Sequence, residues 1–248
     1  MSRRLVAALA CRNNGSRLYA KPLQNLDLGV TVLSQILSCL KKIDVIDAIV
    51  LGIADGIENK IYEDIAEEEN IGYIFGDEIN VLSRLIKCGE KGQATDILRV
   101  TTESPFPYCE MIQSNWEKHC YNENDATFLE NIIDGCYFEI IKLEALKESN
   151  KEGIKKHRSE MCSLYIRENP QKFKVHKSTP PVDLIRKDLR FTVDYPEDIV
   201  VCRAIYKKFK NKAPFIPLND AVKFMDENPQ LKELILPYCE AGYDTMYI

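Results

Sequence analysis

The sequence predicts an α/β fold, a Rossmann-like three-layer αβα sandwich built around a mostly parallel sheet. Two observations lead to this prediction: apolar runs alternate with amphipathic stretches, and the connections between them are short. Strand–helix–strand alternation with short connections produces βαβ units, whose parallel strands are covered by helices on both faces. Because such sheets bind ligands at the carboxyl ends of their strands, the loops that follow strands are candidate sites.

The first half of the chain supplies the regular part of this pattern. Apolar runs of strand length predict strands over residues 5–10, 46–51, 72–75 and 96–101. Apolar side chains at helical spacing predict helices over residues 31–40, 58–69 and 81–88. Two connecting segments therefore begin at strand ends, one after residue 10 and one after residue 101.

The second half of the chain is less regular. Strands are predicted over residues 136–142, 173–175 and 189–194, with a loop over residues 178–182. Helices are predicted over residues 143–148, 159–168, 197–208 and 218–225. Because no repeat, low-complexity tract or linker is evident, we predict a single domain over residues 1–248. Within it, residues 132–182 are expected to form an inserted or appended arm for dimerisation or acceptor binding.

Composition narrows the class of protein. The chain has 248 residues, 45% hydrophobic and 29% charged, which is ordinary for a soluble globular protein. Its net charge of −5 argues against general binding to nucleic acid or to an anionic membrane. The apolar run near the N-terminus is too short for a signal peptide or a membrane span, and the nine cysteines form no C-x-x-C pair. We therefore predict a cytoplasmic protein without membrane or nucleic-acid partners.

A basic loop follows the first predicted strand. Arg12, Arg17 and Lys21 lie within ten positions of one another, and Gly15 and Ser16 lie between them. Backbone N–H groups together with Arg and Lys side chains are the groups that bind a polyphosphate. The loop matches neither the P-loop nor the G-x-G-x-x-G pattern, so a solvated surface turn is the alternative.

An aspartate ends another predicted strand. Asp194 closes the run Arg-Phe-Thr-Val-Asp and precedes a helix that begins near Pro196. A carboxylate at a strand end that faces a basic loop can hold a divalent cation against bound phosphates. The alternative is a helix N-cap, for which an aspartate before a proline-initiated helix is typical. With the basic loop, Asp194 indicates an enzyme that handles a nucleoside triphosphate.

Five segments follow one another in the order of a known family. They are residues 12–23 (Arg-x-x-x-Ser-Arg-Leu-x-x-Lys-Pro-Leu), 75–84 (Phe-Gly-Asp-Glu-Ile-Asn-Val-Leu-Ser-Arg), 99–106 (Arg-Val-Thr-Thr-Glu-Ser-Pro-Phe), 165–170 (Tyr-Ile-Arg-Glu-Asn-Pro) and 190–198 (Arg-Phe-Thr-Val-Asp-Tyr-Pro-Glu-Asp). These segments resemble the motifs of the cytidylyltransferases of the spore-coat-polysaccharide type, which are related to the 3-deoxy-manno-octulosonate and acylneuraminate cytidylyltransferases. Several independent motifs in one order are more specific than any one of them.

The chain also departs from the family pattern. Glu103 stands where the family has a metal-binding aspartate, and its extra methylene moves the carboxylate by about 1.5 Å. Tyr137 replaces an aspartate in the sugar-facing strand, and Met161 ends a segment that in the family reads Arg-Glu-His. The nucleotide half is therefore better preserved than the acceptor half, and a changed acceptor is expected.

The resemblance implies a fold of the nucleotide-diphospho-sugar transferase type and a specific reaction. CMP would pass from CTP to an anionic acceptor, either an acidic sugar, a sugar phosphate or a phosphonate, with release of pyrophosphate. This reaction would belong to cell-surface glycan or glycoconjugate biosynthesis and would require Mg²⁺. The resemblance also implies a homodimer.

The resemblance assigns roles to individual residues. The catalytic residues would be Arg12, Lys21, Glu103 and Asp194, and Glu103 and Asp194 would hold Mg²⁺. The nucleotide would be bound by Arg12, Asn13, Asn14, Gly15, Ser16, Arg17, Lys21, Asp77, Thr101 and Thr102. The acceptor would be bound by Tyr137, Glu139 and Arg158.

Two alternatives remain open from the sequence. One is a non-catalytic nucleotide-binding or scaffold protein of the same fold, and the other is a transferase that uses another nucleotide such as GTP. A smaller ambiguity concerns Arg99, which lies on an otherwise apolar strand. Arg99 either belongs to the functional site or is a structural residue that pairs with Asp96.

Overall fold

The structure is a computed structural model that describes residues 3–246. Its centre is a seven-stranded sheet. The strands are β1 (Leu5–Cys11), β2 (Asn25–Asp27), β3 (Val30–Thr31), β4 (Ala48–Ala54), β5 (Gly72–Gly76), β6 (Asp96–Arg99), β7 (Ala126–Leu129), β8 (Glu139–Lys142) and β9 (Val175–Ser178). The helices are α1 (Val32–Leu40), α2 (Ile61–Glu68), α3 (Val81–Lys91), α4 (Ile112–Tyr121), α5 (Leu143–Glu152), α6 (Leu164–Glu168), α7 (Pro196–Phe209), α8 (Leu218–Glu227) and α9 (Pro229–Met246).

The order of strands in the main sheet is β5-β4-β1-β6-β8-β7-β9, and β2 and β3 form a separate small hairpin. Within the main sheet β8 is antiparallel to both of its neighbours, and the other pairings are parallel. The predicted mostly parallel sheet is therefore confirmed. The carboxyl ends of β1 and β6, which are adjacent and parallel, meet at one edge of the sheet.

Each face of the sheet carries its own layer of helices. Side chains alternate along β1, so that Leu5, Ala7 and Leu9 join one core cluster while Val6 and Ala8 join the other. Helices α1, α2, α4 and α7 pack into the first cluster, and α3, α5 and α6 pack into the second. Strands buried on both faces have continuous apolar sequences, which explains why β1 was predictable from its run of apolar residues. The three-layer αβα sandwich is confirmed.

Helices α1 and α3 begin at side-chain caps. The Thr31 hydroxyl accepts a hydrogen bond from the Ser34 N–H at 3.1 Å, and the Ser34 hydroxyl accepts one from the Thr31 N–H at 2.8 Å. This reciprocal pair satisfies N–H groups that the first turn of α1 would leave unpaired. At α3, the Asn80 side chain accepts from the Ser83 N–H at 3.0 Å, which fixes where the helix begins.

The structure corrects several predicted elements. Residues 189–194 do not form a strand, since this segment makes only an isolated bridge between Arg190 and Asp134. The helix predicted over residues 159–168 is shorter and is confined to α6. Strand β9 begins at Val175, where the predicted strand ended. The sequence reasoning did not predict α4, β7, α9 or the small hairpin.

Residues 132–182 do not form a separate arm. This segment contributes β8 and β9 to the main sheet, and α5 and α6 to one of its helical layers. Its role in dimerisation stays a prediction. Across residues 3–246, no helix combines the length and apolar character that crossing a membrane requires.

A buried polar cluster joins the start of β6 to α4. The imidazole of His119 lies 3.1 Å from Asp96 Oδ1 and 2.8 Å from the Thr127 hydroxyl, and Arg3 pairs with the same aspartate. Burial alone would raise the pKa of Asp96, but hydrogen bonds from His119, Arg3 and Thr95 lower it to about 2. Burial lowers the pKa of His119 despite this aspartate.

We predict that Asp96→Asn costs about 2 kcal/mol of stability at pH 7, which follows from the lowering of its pKa. A carboxyl with a depressed folded-state pKa stabilises the fold above its unfolded pKa, and this contribution is lost as the pH falls from about 4 towards 2. Denaturant unfolding of wild type and variant at pH 7 and pH 3 measures the difference. If the variant lost the same unfolding free energy at both pH values, the stabilisation would not come from the ionised carboxylate of Asp96.

Candidate active site

A cleft opens at the carboxyl ends of β1 and β6. Its smaller part, the loop pocket, has a volume of about 130 Å³ and is lined by the 12–22 loop, α3 and the 99–103 segment. Its larger part, the main cleft, has a volume of about 570 Å³ and extends to residues 134–139, 159–167, 190–195 and 238. Arg12, Arg17, Thr101 and Glu103 line both parts, so the two form one continuous site.

The basic loop is held in shape by its own backbone and by α2. The Asn13 N–H donates to Asn59 Oδ1 at 2.7 Å, and the Tyr62 hydroxyl donates to Asn13 Oδ1 at 2.8 Å. The Asn13 carbonyl accepts from the Ala20 N–H at 2.8 Å, which closes the loop on itself. Asn13 is thus a buried anchor of the loop, and we expect it to act on a ligand by positioning this backbone.

The two residues after Asn13 have different surroundings. Asn14 is exposed, and its amide group donates to carboxylates of Glu58 at 3.3 Å and Glu78 at 3.2 Å. A side chain on Gly15 would collide with the Leu18 carbonyl, so the tight path of the loop requires glycine there. Gly15 and Ser16 both line the loop pocket.

Each predicted triphosphate-binding cation is paired with a carboxylate. Lys21 Nζ lies 2.6 Å and Arg17 Nη2 lies 3.0 Å from Asp194 Oδ1. Arg12 pairs with Glu160. These ion pairs bring together side chains from the two ends of the chain, which the sequence analysis placed in one site on separate grounds.

Asp194 is not a helix cap. Its carboxylate is occupied by Lys21, Arg17 and Arg190, the last at 2.8 Å. The N-cap residue of α7 is Tyr195, and the Asp198 side chain in the first turn accepts through Oδ2 from the N–H groups of Asp194 and Tyr195, each at 2.9 Å. Burial would raise the pKa of Asp194, but the three cations hold it below its ordinary value. The capping alternative is therefore wrong for Asp194.

Glu103 faces the same cleft as Asp194. Its backbone carbonyl accepts from the Val193 N–H at 2.9 Å, which ties the segment after β6 to the segment before α7. Burial raises the pKa of the Glu103 carboxyl, and the charges of Asp194 and Glu160 add to this effect while Lys21 opposes it. A carboxylate in this environment gains from a cation placed beside it.

The donor set fits Mg²⁺ better than a closed metal centre. Among the described residues, no group of three His, Cys, Asp or Glu side chains is placed to hold a metal ion. Mg²⁺ is commonly bound through one or two carboxylates together with substrate phosphates and water. Glu103 and Asp194 could supply the two carboxylates, with phosphates completing the coordination.

The remaining residues that were predicted to bind the nucleotide differ in their position relative to the cleft. Thr101 and Thr102 line the loop pocket, and the Thr102 hydroxyl donates to the Ala10 carbonyl at 2.9 Å, which joins β6 to β1. Asp77 does not line either part of the cleft. Its carboxylate instead accepts from the N–H groups of Ile79 at 2.9 Å and Asn80 at 2.7 Å. The structure therefore places Asp77 in the turn that leads into α3.

The predicted acceptor residues do not lie together. Tyr137 and Glu139 line the main cleft. Arg158 does not line the cleft, because its guanidinium donates to the carbonyls of Asn150 at 3.1 Å and Gly153 at 3.2 Å. An acceptor contact for Arg158 therefore has no support in this arrangement.

Glu139 belongs to a buried ion-pair cluster. It pairs with Arg99 at 2.7 Å and Arg167 at 3.0 Å and accepts from the Ser163 hydroxyl at 2.6 Å. Burial would raise the pKa of Glu139, but the two arginines lower it to about 2. Arg99 lies opposite Glu139 in the β6–β8 register, so its proposed pairing with Asp96 is wrong. The second guanidinium nitrogen of Arg99 donates to the Glu160 carbonyl at 2.8 Å and fixes that loop.

The sequence analysis gave no role to several residues that line the main cleft. They are Asp134, Glu160, Arg167, Arg190, Tyr195 and Tyr238. Arg167 and Arg190 lie within the quoted motifs, which was the available signal for them. Tyr238 comes from α9 and stacks on Tyr195 with ring centroids 4.0 Å apart. That contact brings the C-terminal helix to the cleft, and no local pattern indicated it.

Comparison with known proteins adds to this geometry. No protein-family model matches the chain. The uncharacterized protein MJ1063 of Methanocaldococcus jannaschii is 28% identical over 232 residues, which cover 93% of this chain and 94% of that protein. The spore coat polysaccharide biosynthesis protein SpsF of Bacillus subtilis is 24% identical over 184 residues, covering 74% of this chain and 76% of SpsF.

Among solved structures, a cytidylyltransferase from Leptospira borgpetersenii superposes with a TM-score of 0.83. The match covers 93% of this chain and 97% of that one at 18% identity. The chain therefore shares the fold of this cytidylyltransferase. The resemblance predicted from the five motifs is thus confirmed, as is the fold class. In this cytidylyltransferase fold, the cleft at the ends of β1 and β6 is the candidate active site.

Gly135 lets the two walls of the main cleft meet. Its φ is +89°, and a Cβ there would lie 2.8 Å from backbone atoms of Phe191 and Thr192. The Phe191 N–H donates to the Asp134 carbonyl at 2.7 Å across this contact. Only glycine combines this φ with so close an approach.

We predict that Gly135→Ala lowers stability by more than about 1 kcal/mol, because strain at positive φ and a backbone collision add to each other. Gly29→Ala is the matched control, since Gly29 also has a positive φ of 72° but open space around it. Both variants have a strained φ, but only Gly135→Ala has the collision as well. The difference between their losses in melting temperature therefore measures the effect of the collision. Equal losses in melting temperature would show that the contact with Phe191 does not matter.

Proposed function

We propose that the protein is a nucleotidyltransferase that transfers CMP from CTP to an anionic acceptor and releases pyrophosphate with the help of Mg²⁺. The observation that carries the proposal is the set of ion pairs from Lys21 and Arg17 to Asp194 across the cleft. Cations from a strand-end loop lie here against carboxylates that suit a divalent cation. The similarity to a cytidylyltransferase fold and to SpsF supports cytidine as the base and a role in glycan biosynthesis.

The residues suggest how the reaction proceeds. Arg12, Arg17 and Lys21 exchange their carboxylate partners for triphosphate oxygens, which fixes the α-phosphate at the mouth of the main cleft. Glu103 and Asp194 would hold Mg²⁺, and the ion would supply positive charge that neutralises the phosphates. The acceptor oxygen attacks the α-phosphate in line as pyrophosphate leaves towards the basic loop. Catalysis of this kind depends mainly on positioning and charge neutralisation.

A pyrophosphate-release screen tests the proposal. Each of the four nucleoside triphosphates is incubated with Mg²⁺ and with a panel of acidic sugars, sugar phosphates and phosphonates. We expect release with CTP that depends on both the acceptor and Mg²⁺. Release with GTP instead would support the alternative donor. Nucleotide binding without release for any acceptor would support the non-catalytic alternative.

We predict that Asp194→Asn lowers turnover by about a hundredfold or more, because a neutral amide cannot supply charge to Mg²⁺. Helix α7 should keep its N-terminus, since the Asp198 side chain accepts from the N–H groups of Asp194 and Tyr195. Glu103→Asp should retain partial activity, because the family uses the shorter acid there. The turnover of both variants is measured across a Mg²⁺ titration, and thermal melting checks that each variant is folded. Normal turnover of Asp194→Asn at every Mg²⁺ concentration would place the metal elsewhere.

We further propose that the protein is a homodimer that pairs through residues 132–182. Ile154 and Val182 in this segment are exposed apolar side chains, and β9 ends the order of the main sheet. Light scattering at micromolar concentration should give twice the mass of one chain. A monomer mass would contradict the proposal.

A further inference from the structure

Arg17 has two partners of different kinds in the cleft. Its Nη2 lies 3.0 Å from Asp194 Oδ1, and its guanidinium carbon lies over the face of the Tyr195 ring, 5.0 Å from the ring centroid. Its Nη1 also donates to the Tyr195 hydroxyl at 3.5 Å. An arginine within about 6 Å of a tyrosine ring centroid is attracted by the electron-rich face of the ring. The Tyr195 ring therefore holds Arg17 by a contact that does not depend on the Asp194 carboxylate.

The ring contact becomes important when Arg17 gives up its carboxylate for phosphate oxygens. The side chain of Arg17 is 42% exposed, whereas that of Lys21 is 17% exposed. Ordering a long, exposed side chain costs conformational entropy, and this cost reduces affinity for a ligand. A planar guanidinium can rest on an aromatic face while the N–H donors at its edge stay free for phosphate oxygens. The Tyr195 ring can therefore keep Arg17 at the cleft without occupying its donors.

Tyr195 is itself held in place by the C-terminal helix. Its ring stacks on the ring of Tyr238, with centroids 4.0 Å apart and ring planes 14° apart. Tyr238 lies on α9, and its carbonyl accepts from Arg190 Nη1 at 2.8 Å. The Tyr195 N–H donates to Asp198 Oδ2 at 2.9 Å, which fixes the backbone of Tyr195 at the start of α7. Protein contacts thus restrain both the ring and the backbone of Tyr195.

A second cation lies near the same ring but is not available to a ligand. The guanidinium carbon of Arg190 lies 5.7 Å from the centroid of the Tyr195 ring. Its side chain is only 2% exposed, and it pairs with Asp194 at 2.8 Å and Asp198 at 3.0 Å. Of the two cations at this ring, Arg17 is therefore the one that a triphosphate can reach.

We propose that Tyr195 and Tyr238 are positioning residues for Arg17. Tyr195 presents the ring on which the guanidinium rests, and Tyr238 keeps this ring in place. The inference rests on the proposed function and deepens it, since it makes α9 a part of the triphosphate-binding site. Neither tyrosine has to touch the nucleotide in this role. Their effect passes through Arg17 and is expected in the affinity for the nucleotide.

Nucleotide binding tests the role of the Tyr195 ring. Wild type, Tyr195→Leu and Tyr195→Phe are titrated by calorimetry with a non-hydrolysable α,β-methylene analogue of CTP in saturating Mg²⁺. We expect Tyr195→Leu to bind the analogue about fivefold more weakly, because leucine lacks the aromatic face, and Tyr195→Phe to stay within about twofold of wild type. Tyr121→Leu is the matched control, since Tyr121 is 89% exposed and lies outside the lining of the cleft. Wild-type affinity of Tyr195→Leu would overturn the role of the ring, as would an equal loss in Tyr195→Phe.

A double-mutant cycle separates positioning of Arg17 from a general effect on the fold. With Arg17 present, Tyr238→Leu should weaken binding of the analogue several-fold, and Tyr238→Phe should bind it as wild type does. In the Arg17→Ala background, Tyr195→Leu and Tyr238→Leu should each change the affinity by less than about twofold, because the guanidinium that they position is absent. All titrations are made at a temperature at which thermal melting shows each variant to be folded.

The cycle also distinguishes the two ways in which the account can fail. Losses of affinity that add fully in the double variants would overturn the positioning role, because a merely structural effect of the tyrosines does not depend on Arg17. Failure of the analogue to bind wild type in the presence of Mg²⁺ would instead overturn the proposed function.

Discussion

The carboxylate of Asp194 is the interaction on which the arrangement of the cleft depends. It accepts from Lys21 and Arg17, which belong to the loop after the first strand, and from Arg190, which belongs to its own segment. These contacts join the N-terminal and C-terminal parts of the chain at one point. Removing one partner from a buried charge cluster usually costs several kcal/mol, because the remaining charge stays buried without compensation.

Ion pairs around Asp194 and across the cleft also fix the positions of the residues on the two cleft walls. Arg190 contacts Asp198 on one side, whose carboxylate also accepts from the Tyr195 N–H at the start of α7, and the Tyr238 carbonyl of α9 on another. The position of Asp194 is thereby set by two helices and by the turn at Gly135. Across the cleft, the Arg99–Glu139–Arg167 cluster fixes the loop that carries Glu160. Both walls therefore present carboxylates to a loop of cations.

The sequence predicted the strands and helices that can be recognised from the residues within the element itself. Strands β1, β4, β5 and β6 have apolar side chains on both faces, so their runs of apolar residues identify them. Helix α4 was not predicted, because its inner face carries buried polar side chains such as Asn115 and His119. Residues 189–194 have a strand-like sequence but lack a neighbouring strand to extend the single bridge to Asp134.

The candidate site shows the same division. The loop cations were predictable because they follow the end of β1, and Asp194 because it lies in one of the motifs that follow the family order. Their partners were not, since the Arg12–Glu160 pair spans 148 positions and depends on where the fold brings the second half of the chain. Asp134 and Tyr238 likewise reach the cleft only through tertiary packing. That Asp198 rather than Asp194 accepts from the N–H groups at the start of α7 is visible only in the hydrogen bonds.

A crystal structure with CTP and Mg²⁺ tests the central claim most directly, namely that the cations held by Asp194 are the groups that bind the triphosphate. The account predicts that Lys21 Nζ and Arg17 Nη2 move from Asp194 to within about 3.2 Å of triphosphate oxygens. It also predicts that the released carboxylate faces the metal ion. A triphosphate bound elsewhere, with Lys21 and Arg17 still paired to Asp194, would contradict it.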